Sequence, residues 1–212
     1  MSWHFLASTN ERAAREARGN QAGFGLIELM VAITVMVLVA SVVVVRHSTF
    51  NSALLLRSQA FDIALGIREV QLSAVSASGD TGDFRQVYGL YFDSSTNNNG
   101  YYIFFRDLNE DEFYTSSPNE QFGPISELDQ RFEIGAIRAV GGESLSSDDV
   151  SVVFERPNFD ARFFRAPGDQ IDAPSIEIDV ARRGMSGTEC GSHYRTIEIT
   201  RTGQIALLDC PE

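Results

Sequence analysis

The apolar positions of this chain change period twice. From Phe24 to Val45 the 22 residues are apolar almost without a break, and Glu28 is their only charge. At ~1.5 Å per residue a helix of that length reaches about 33 Å, enough for a hydrocarbon core of roughly 30 Å. Ser52–Ala77 then shows a stripe at Leu54, Phe61, Ala64, Leu65, Leu72 and Val75, with Arg57, Asp62, Arg68 and Glu69 on other faces. Those spacings predict an amphipathic helix that continues from the apolar run. Ser78-Gly79-Asp80-Thr81-Gly82 is expected to end it. From Gln86 the period becomes that of strands. Val87–Asp93 and Tyr101–Arg106 are aromatic and β-branched and flank the polar turn Ser94–Gly100. Further strands are expected at Arg131–Val140, Val150–Arg156, Ser175–Ala181, Tyr194–Thr200 and Gln204–Leu208. In the strand Tyr194–Thr200, Ile197 and Ile199 share one face and Glu198 takes the other. Pro157–Pro174 reads as a loop with an aromatic cluster of Phe159, Phe163 and Phe164.

The apolar run needs an explanation for its acid. A carboxylate at mid-bilayer costs about 2.5–3.5 kcal/mol by insertion scales, less near an end. A secretory signal would be shorter and end in a small-x-small cleavage site, whereas this run ends in Val42–Val45 and Arg46. An ordinary anchor explains the length but not Glu28 or the preceding Gly23. The string Gly23-Phe24-Gly25-Leu26-Ile27-Glu28-Leu29-Met30 resembles the Gly-Phe-Thr-Leu-Ile-Glu-Leu signal of type IV prepilins, with Gly25 in place of the usual threonine. The resemblance implies that a membrane prepilin peptidase cuts after Gly23 and methylates the new terminal Phe24. It also assigns Glu28 a role in the axial register of assembled subunits. The chemistry agrees: cutting there frees an α-amine within about a turn of Glu28, and a neighbour's amine can offset a desolvated carboxylate.

One long helix followed by antiparallel strands is the α+β arrangement of pilin-like proteins. The segments Leu56-Arg57-Ser58-Gln59-Ala60, Tyr88-Gly89-Leu90-Tyr91-Phe92 and the terminal Ile197–Ile205 hairpin resemble minor pseudopilins of the GspH/FimT type. The expected organisation is a leader at 1–23, a transmembrane segment at 24–45, an amphipathic continuation at 46–80 and a β-rich domain at 81–212. Major pilins usually carry Gly and Pro in the second half of the apolar segment. Ala32–Val45 has neither, which favours a minor component.

Charge narrows the partners. The net charge is −12 and every basic residue is Arg. The leader holds Arg12, Arg15 and Arg18 against Glu11 and Glu16, so its removal makes the remainder one unit more negative. Nucleic acid, which needs clustered cations, is not an expected partner. The late arginines Arg182, Arg183, Arg195 and Arg201 are expected to pair with Glu177, Asp179 and Glu198 across strands. Three Arg before the span and Arg46 and Arg57 after it favour an inside N-terminus. The globular part then lies outside the cytoplasmic membrane, in the periplasm or beyond.

Enzyme chemistry is not expected. His4, His47 and His193 have no partner at metal-ligand spacing, and no nucleophile elbow, Cys-x-x-Cys or phosphate-binding loop is present. No cofactor is expected. One acidic loop is a calcium candidate: Asp107, Asn109 and Asp111 alternate as in calcium loops, although Glu112 and Pro118 stand where Gly and Glu are wanted. The chain has two Cys, both in the portion placed outside the cytoplasm, where oxidation is allowed. Cys190 and Cys210 bracket the terminal hairpin, and a disulfide between them is expected, with two buried free thiols as the alternative.

Three functions follow. The first is a minor pseudopilin of a type II secretion pseudopilus. Its partners would be other pseudopilins through the N-terminal helix, the prepilin peptidase, the inner-membrane assembly platform and membrane lipid. The second is a minor type IV pilin in pilus initiation or DNA uptake. The third is a membrane-anchored binding domain that never polymerises.

Overall fold

The computed structural model describes residues 25–76, 86–116, 119–142, 145, 148–154, 159–185 and 190–210, with the backbone alone at 45–50. Helix α1 runs Leu26–Val75. Its interior is free of Pro and holds one Gly, so no i→i−4 bond is lost to ring or backbone chemistry. The chain divides into two units, Met1–His47 and Ser48–Glu212. The second half of α1 therefore belongs with the β-rich domain.

Among the described residues ten strands follow: β1 Tyr88–Asp93, β2 Tyr101–Arg106, β3 Ser126–Glu127, β4 Phe132–Val140, β5 Asp149–Phe154, β6 Ala161–Ala166, β7 Asp169–Gln170, β8 Ser175–Arg182, β9 Tyr194–Thr200 and β10 Ile205–Leu207. They form two antiparallel sheets, in the orders β3-β2-β1-β5-β6-β7 and β10-β9-β8-β4. The β1–β2 connection is set by Asp93, whose carboxylate accepts from Ser95 N at 2.7 Å and Asn98 Nδ2 at 2.8 Å, a side-chain-closed turn. Ile134 N donates to Asn99 O at 2.8 Å, and Glu133 accepts from Asn99 Nδ2 and Gly184 N, tying that turn to β4.

One core takes residues from α1 and both sheets. The helix contributes Leu56, Ala60, Ile63, Ile67, Val70 and Ala74, spaced four and three in strict alternation. The strands contribute alternate residues such as Leu90, Phe92, Val150, Val152, Ile176, Ile178, Ile197 and Ile199. The Cys190–Cys210 disulfide closes the C-terminal hairpin, with Cα atoms 5.5 Å apart. Helix and sheet approach closely because Gly66 faces β2: a Cβ there would sit 3.0 Å from Tyr102 Oη and 3.2 Å from Phe104 Cζ.

The helix face is a correction. The stripe expected from the sequence took the large residues Leu54, Phe61, Leu65 and Leu72, and all four are exposed. The buried stripe is instead Leu56, Ala60, Ile63, Ile67, Val70 and Ala74, the four-three row that faces the strands. The loop expected at Pro157–Pro174 is also corrected. Ala161–Ala166 is strand β6, paired with β5 through Val152–Phe163 and Ser151–Phe164. Strand alternation sends Phe163 into the main core and Phe164 into a second cluster with Phe105, Phe113 and Val153. Phe159 stays 47 % exposed, so the expected aromatic cluster is three separate environments. The turn expected at 78–82 and the last residues of the Val150–Arg156 strand lie outside the described residues.

Candidate assembly surface

Among the described residues the first part of α1 is uncovered. Every described side chain from Gly25 to Val44 is exposed, and Leu26–Val44 is long and apolar enough to cross a membrane. Its few polar groups are closed locally. Thr34 Oγ1 donates to Met30 O at 2.8 Å and Ser41 Oγ to Leu38 O at 2.7 Å, which removes the hydroxyls from competition for water. Glu28 sits in the first turn, where the helix dipole favours a negative charge. Among the described residues it has no hydrogen-bond or ion-pair partner. Gly23 and Phe24 lie outside the described residues.

The second part of α1 has two apolar faces. At about 100° per residue, Leu54, Phe61, Leu65 and Leu72 fall within about 40° of each other and about 160° round the helix from the buried row. They are exposed by 51 %, 45 %, 67 % and 55 %. The same angular count puts Arg57 and Arg68 on one flank of this outer stripe and Asp62 and Glu69 on the other. The Arg57 guanidinium lies 5.5 Å from the Phe61 ring centroid, shielding part of it. Arg68 donates to Gln71 Oε1. Gln71 itself is fully buried and donates to Phe159 O and Gly203 O, each at 2.9 Å, so the helix end holds the β9–β10 turn. Gly203 is held at φ +78°, and any Cβ there would collide with the Phe159 carbonyl.

The acidic loop is a lid on the outer face of the first sheet. Phe113 and Tyr114 pack against Tyr91, at ring-centroid distances of 5.8 and 5.2 Å. Burial pushes the Tyr91 hydroxyl up, with Asp149 adding to it through a 3.0 Å hydrogen bond. An Arg162–Glu112 ion pair fastens the loop to β6. Of the calcium candidates, Asp107 and Asp111 come together with Glu120, a residue the alternating pattern did not include; their oxygens lie within 4.8 Å of one another. Asn109 turns instead to Asp111 and Thr115. Three carboxylates so placed can hold a hard cation. Here their oxygens serve backbone donors. Asp107 accepts from Glu110 N and Glu112 N, and Glu120 from Leu108 N and Thr115 N. Burial pushes the Asp107 carboxyl up against the lowering effect of those bonds.

The late arginines do not pair as expected. Arg138 of β4 takes Glu177 at 3.0 Å and the buried Asp179 at 2.8 Å, and Thr196 Oγ1 donates to Asp179 at 2.7 Å. Glu198 accepts from Ser175 Oγ. The antiparallel register explains the exchange: Arg138 lies directly opposite Glu177, whereas the late arginines sit at strand ends. Arg201 goes to Asp172 at 2.7 Å, and Arg183 lies 4.0 Å from Glu133. Arg195 Nη1 lies 3.5 Å from Cys210 Sγ.

Residues 18–44 match the family model for the prokaryotic N-terminal methylation motif. No curated protein and no solved structure matches the chain. The match gives residues 18–44 the N-terminal methylation signature of type IV pilins and pseudopilins, and it overlaps the exposed apolar part of α1.

Proposed function

We propose that the protein is a minor pseudopilin of a type II secretion pseudopilus. Prepilin peptidase releases it from its leader between Gly23 and Phe24 and methylates Phe24, and it then assembles through α1 with other pilin-like subunits. The observation that carries this reading is the methylation motif with Glu28 set against a membrane-length helix. Three features support it. The apolar half finds no cover within its own chain. The outer stripe Leu54, Phe61, Leu65 and Leu72, flanked by opposite charges, offers a second helix a seam of the width that packed helices use. Ala32–Val45 lacks the Gly and Pro of bulk filament subunits. The domain is placed in the periplasm, anchored by one span.

Intact-mass analysis of the membrane form tests the processing step. The expected mass lacks Met1–Gly23 and carries one added methyl group. A chain that keeps its leader in a host with active prepilin peptidase overturns the reading. Glu28→Ala tests assembly. The variant should insert normally, having lost a desolvation cost, yet crosslink less to a co-expressed pilin-like subunit. Equal crosslinking would make the acid incidental.

A further inference from the structure

The inward-facing row of β8 ends in a charge. Ile176, Ile178 and Val180 fill the core, and the next residue of the same parity is Arg182. Its cross-strand partner is Phe132, the first residue of β4. At this end of the domain the core opens into a pocket of about 220 Å³, lined by Ser52 and Leu55 of α1 with Arg131, Phe132, Arg182, Arg183 and Met185. Three arginines thus line one pocket in a chain whose net charge is −12.

Two of the three are already engaged. Arg131 is held by Asp129 in a two-point pair, through Nε at 2.7 Å and Nη2 at 2.8 Å. Arg183 donates to the carbonyls of Gln130 and Phe132 and lies 4.0 Å from Glu133. Arg182 has no side-chain partner among the described residues. The pocket is therefore lined by one arginine with no side-chain partner among the described residues and by two that are already bonded. Leu55, Phe132 and Met185 supply an apolar wall next to it.

We propose that this pocket binds the phosphate of an anionic phospholipid headgroup. Arg182 is its primary ligand, and the apolar wall takes the first part of the lipid's glycerol backbone. Three observations select a lipid. The volume lies below the roughly 300–1,000 Å³ of pockets for drug-sized ligands, and suits a headgroup fragment. Ser52 follows Val44, the last residue of the membrane-length segment among the described residues, by eight positions, so the pocket's helix residues are close to that segment in sequence. An anion dissolved in bulk is repelled by an acidic protein, whereas a headgroup is held nearby at high effective concentration. The proposal rests on the membrane anchoring described above.

The test uses the full chain reconstituted into vesicles of phosphatidylcholine mixed with phosphatidylglycerol, then extracted in mild detergent and examined by native mass spectrometry. Wild type should retain phosphatidylglycerol in preference to phosphatidylcholine. Arg182→Gln should reduce that retention about fivefold, the effect of one interfacial cation, and Arg182→Lys should recover much of it. Arg201→Gln, on an exposed pair away from the pocket, should leave retention unchanged. Equal retention of the two lipids overturns the proposal, as does equal retention by wild type and Arg182→Gln, the result expected if the pocket takes an acidic side chain of a partner protein. Full displacement of the lipid by millimolar inorganic phosphate assigns the site to free phosphate and overturns the lipid source. Vesicle flotation keeps the two readings apart: a chain that floats but shows no lipid preference loses only the pocket proposal, and one that fails to float loses the anchoring as well.

Discussion

The two halves of α1 differ in apolar content and end in opposite situations: 16 of the 19 residues of Leu26–Val44 are apolar, against 10 of the 19 of Leu56–Ala74. From Leu26 to Val44 every side chain is exposed, so nothing in the chain distinguishes one face from another. From Leu56 to Ala74 one face is fully enclosed by the two sheets, while the opposite face keeps four large apolar residues in the open. The difference shows where each half draws its stability. The first half depends on a medium or partner outside the chain, and the second is held by residues up to the C-terminal hairpin. A helix that is apolar all round needs burial everywhere, whereas one with a polar flank needs it only on a stripe.

The sharpest way to break this comparison is a neighbouring pair on the two faces of the second half. Ile67→Ala, in the enclosed row, is expected to lower unfolding free energy by about 2–5 kcal/mol, through lost transfer energy and the cavity left behind. Leu65→Ala, on the outer stripe, should change it by no more than about 0.5 kcal/mol. Denaturant titration followed by circular dichroism of the full chain in detergent reads both. Similar losses at the two positions would mean that the outer stripe is covered within the domain.

The next largest effect is confined to the far end of the domain. Replacing Cys190 and Cys210 by Ser should cost about 3 kcal/mol, the chain-entropy value for a loop of this size. Hydrogen exchange should then rise in β8–β10 and leave Leu26–Val44 unchanged. Faster exchange in both would join halves that the fold keeps separate.

A polar residue on the enclosed face gives a third test. Gln71→Leu keeps the volume but strands the carbonyls of Phe159 and Gly203, and should cost about 1–3 kcal/mol. A neutral result would show that water reaches those carbonyls.

The smallest effect is electrostatic. The hydrogen bonds from Arg131 hold the exposed Asp129 carboxyl at about 2, below its ordinary 3.8. Because the folded value is depressed, the pair's contribution is complete above the ordinary range and is lost as pH falls through about 2. Carbon-detected NMR titration should show that midpoint, and Arg131→Gln should return it to the ordinary range. An unchanged midpoint in the variant would remove Arg131 as the cause.

What was legible in the sequence depended on how local its cause was. The membrane-length run and the strand pairs flanking short turns could be read because their signals lie within a few residues. Tyr101–Arg106 and Tyr194–Thr200 have the expected bounds. The inner row Leu56–Ala74 was also present as a strict four-three alternation, but the outer row of Leu54, Phe61, Leu65 and Leu72 competes with it as a second apolar stripe on the same helix. The strand β6 was hidden because Ala161–Ala166 shows no alternation of apolar and polar residues. Glu120 joins Asp107 and Asp111 only through the fold of the intervening loop, and the partner of Asp179 is chosen by the register of β4 against β8. Neither has a local cause. The outer stripe was legible as composition, and its role as a separate face required knowing which side the sheets occupy.

The bonds from Gln71 to Phe159 and Gly203 span 88 and 132 residues. They set an order of events during synthesis. α1 leaves the ribosome before the strands, yet its enclosed row waits for Ile197, Ile199 and the β9–β10 turn, more than 120 residues further along the chain. Contacts of such separation close slowly, because loop entropy must be lost before any burial is gained. Until the final hairpin arrives, the helix exposes apolar rows on both of its faces. The helix is therefore secured only once the strands that enclose it exist.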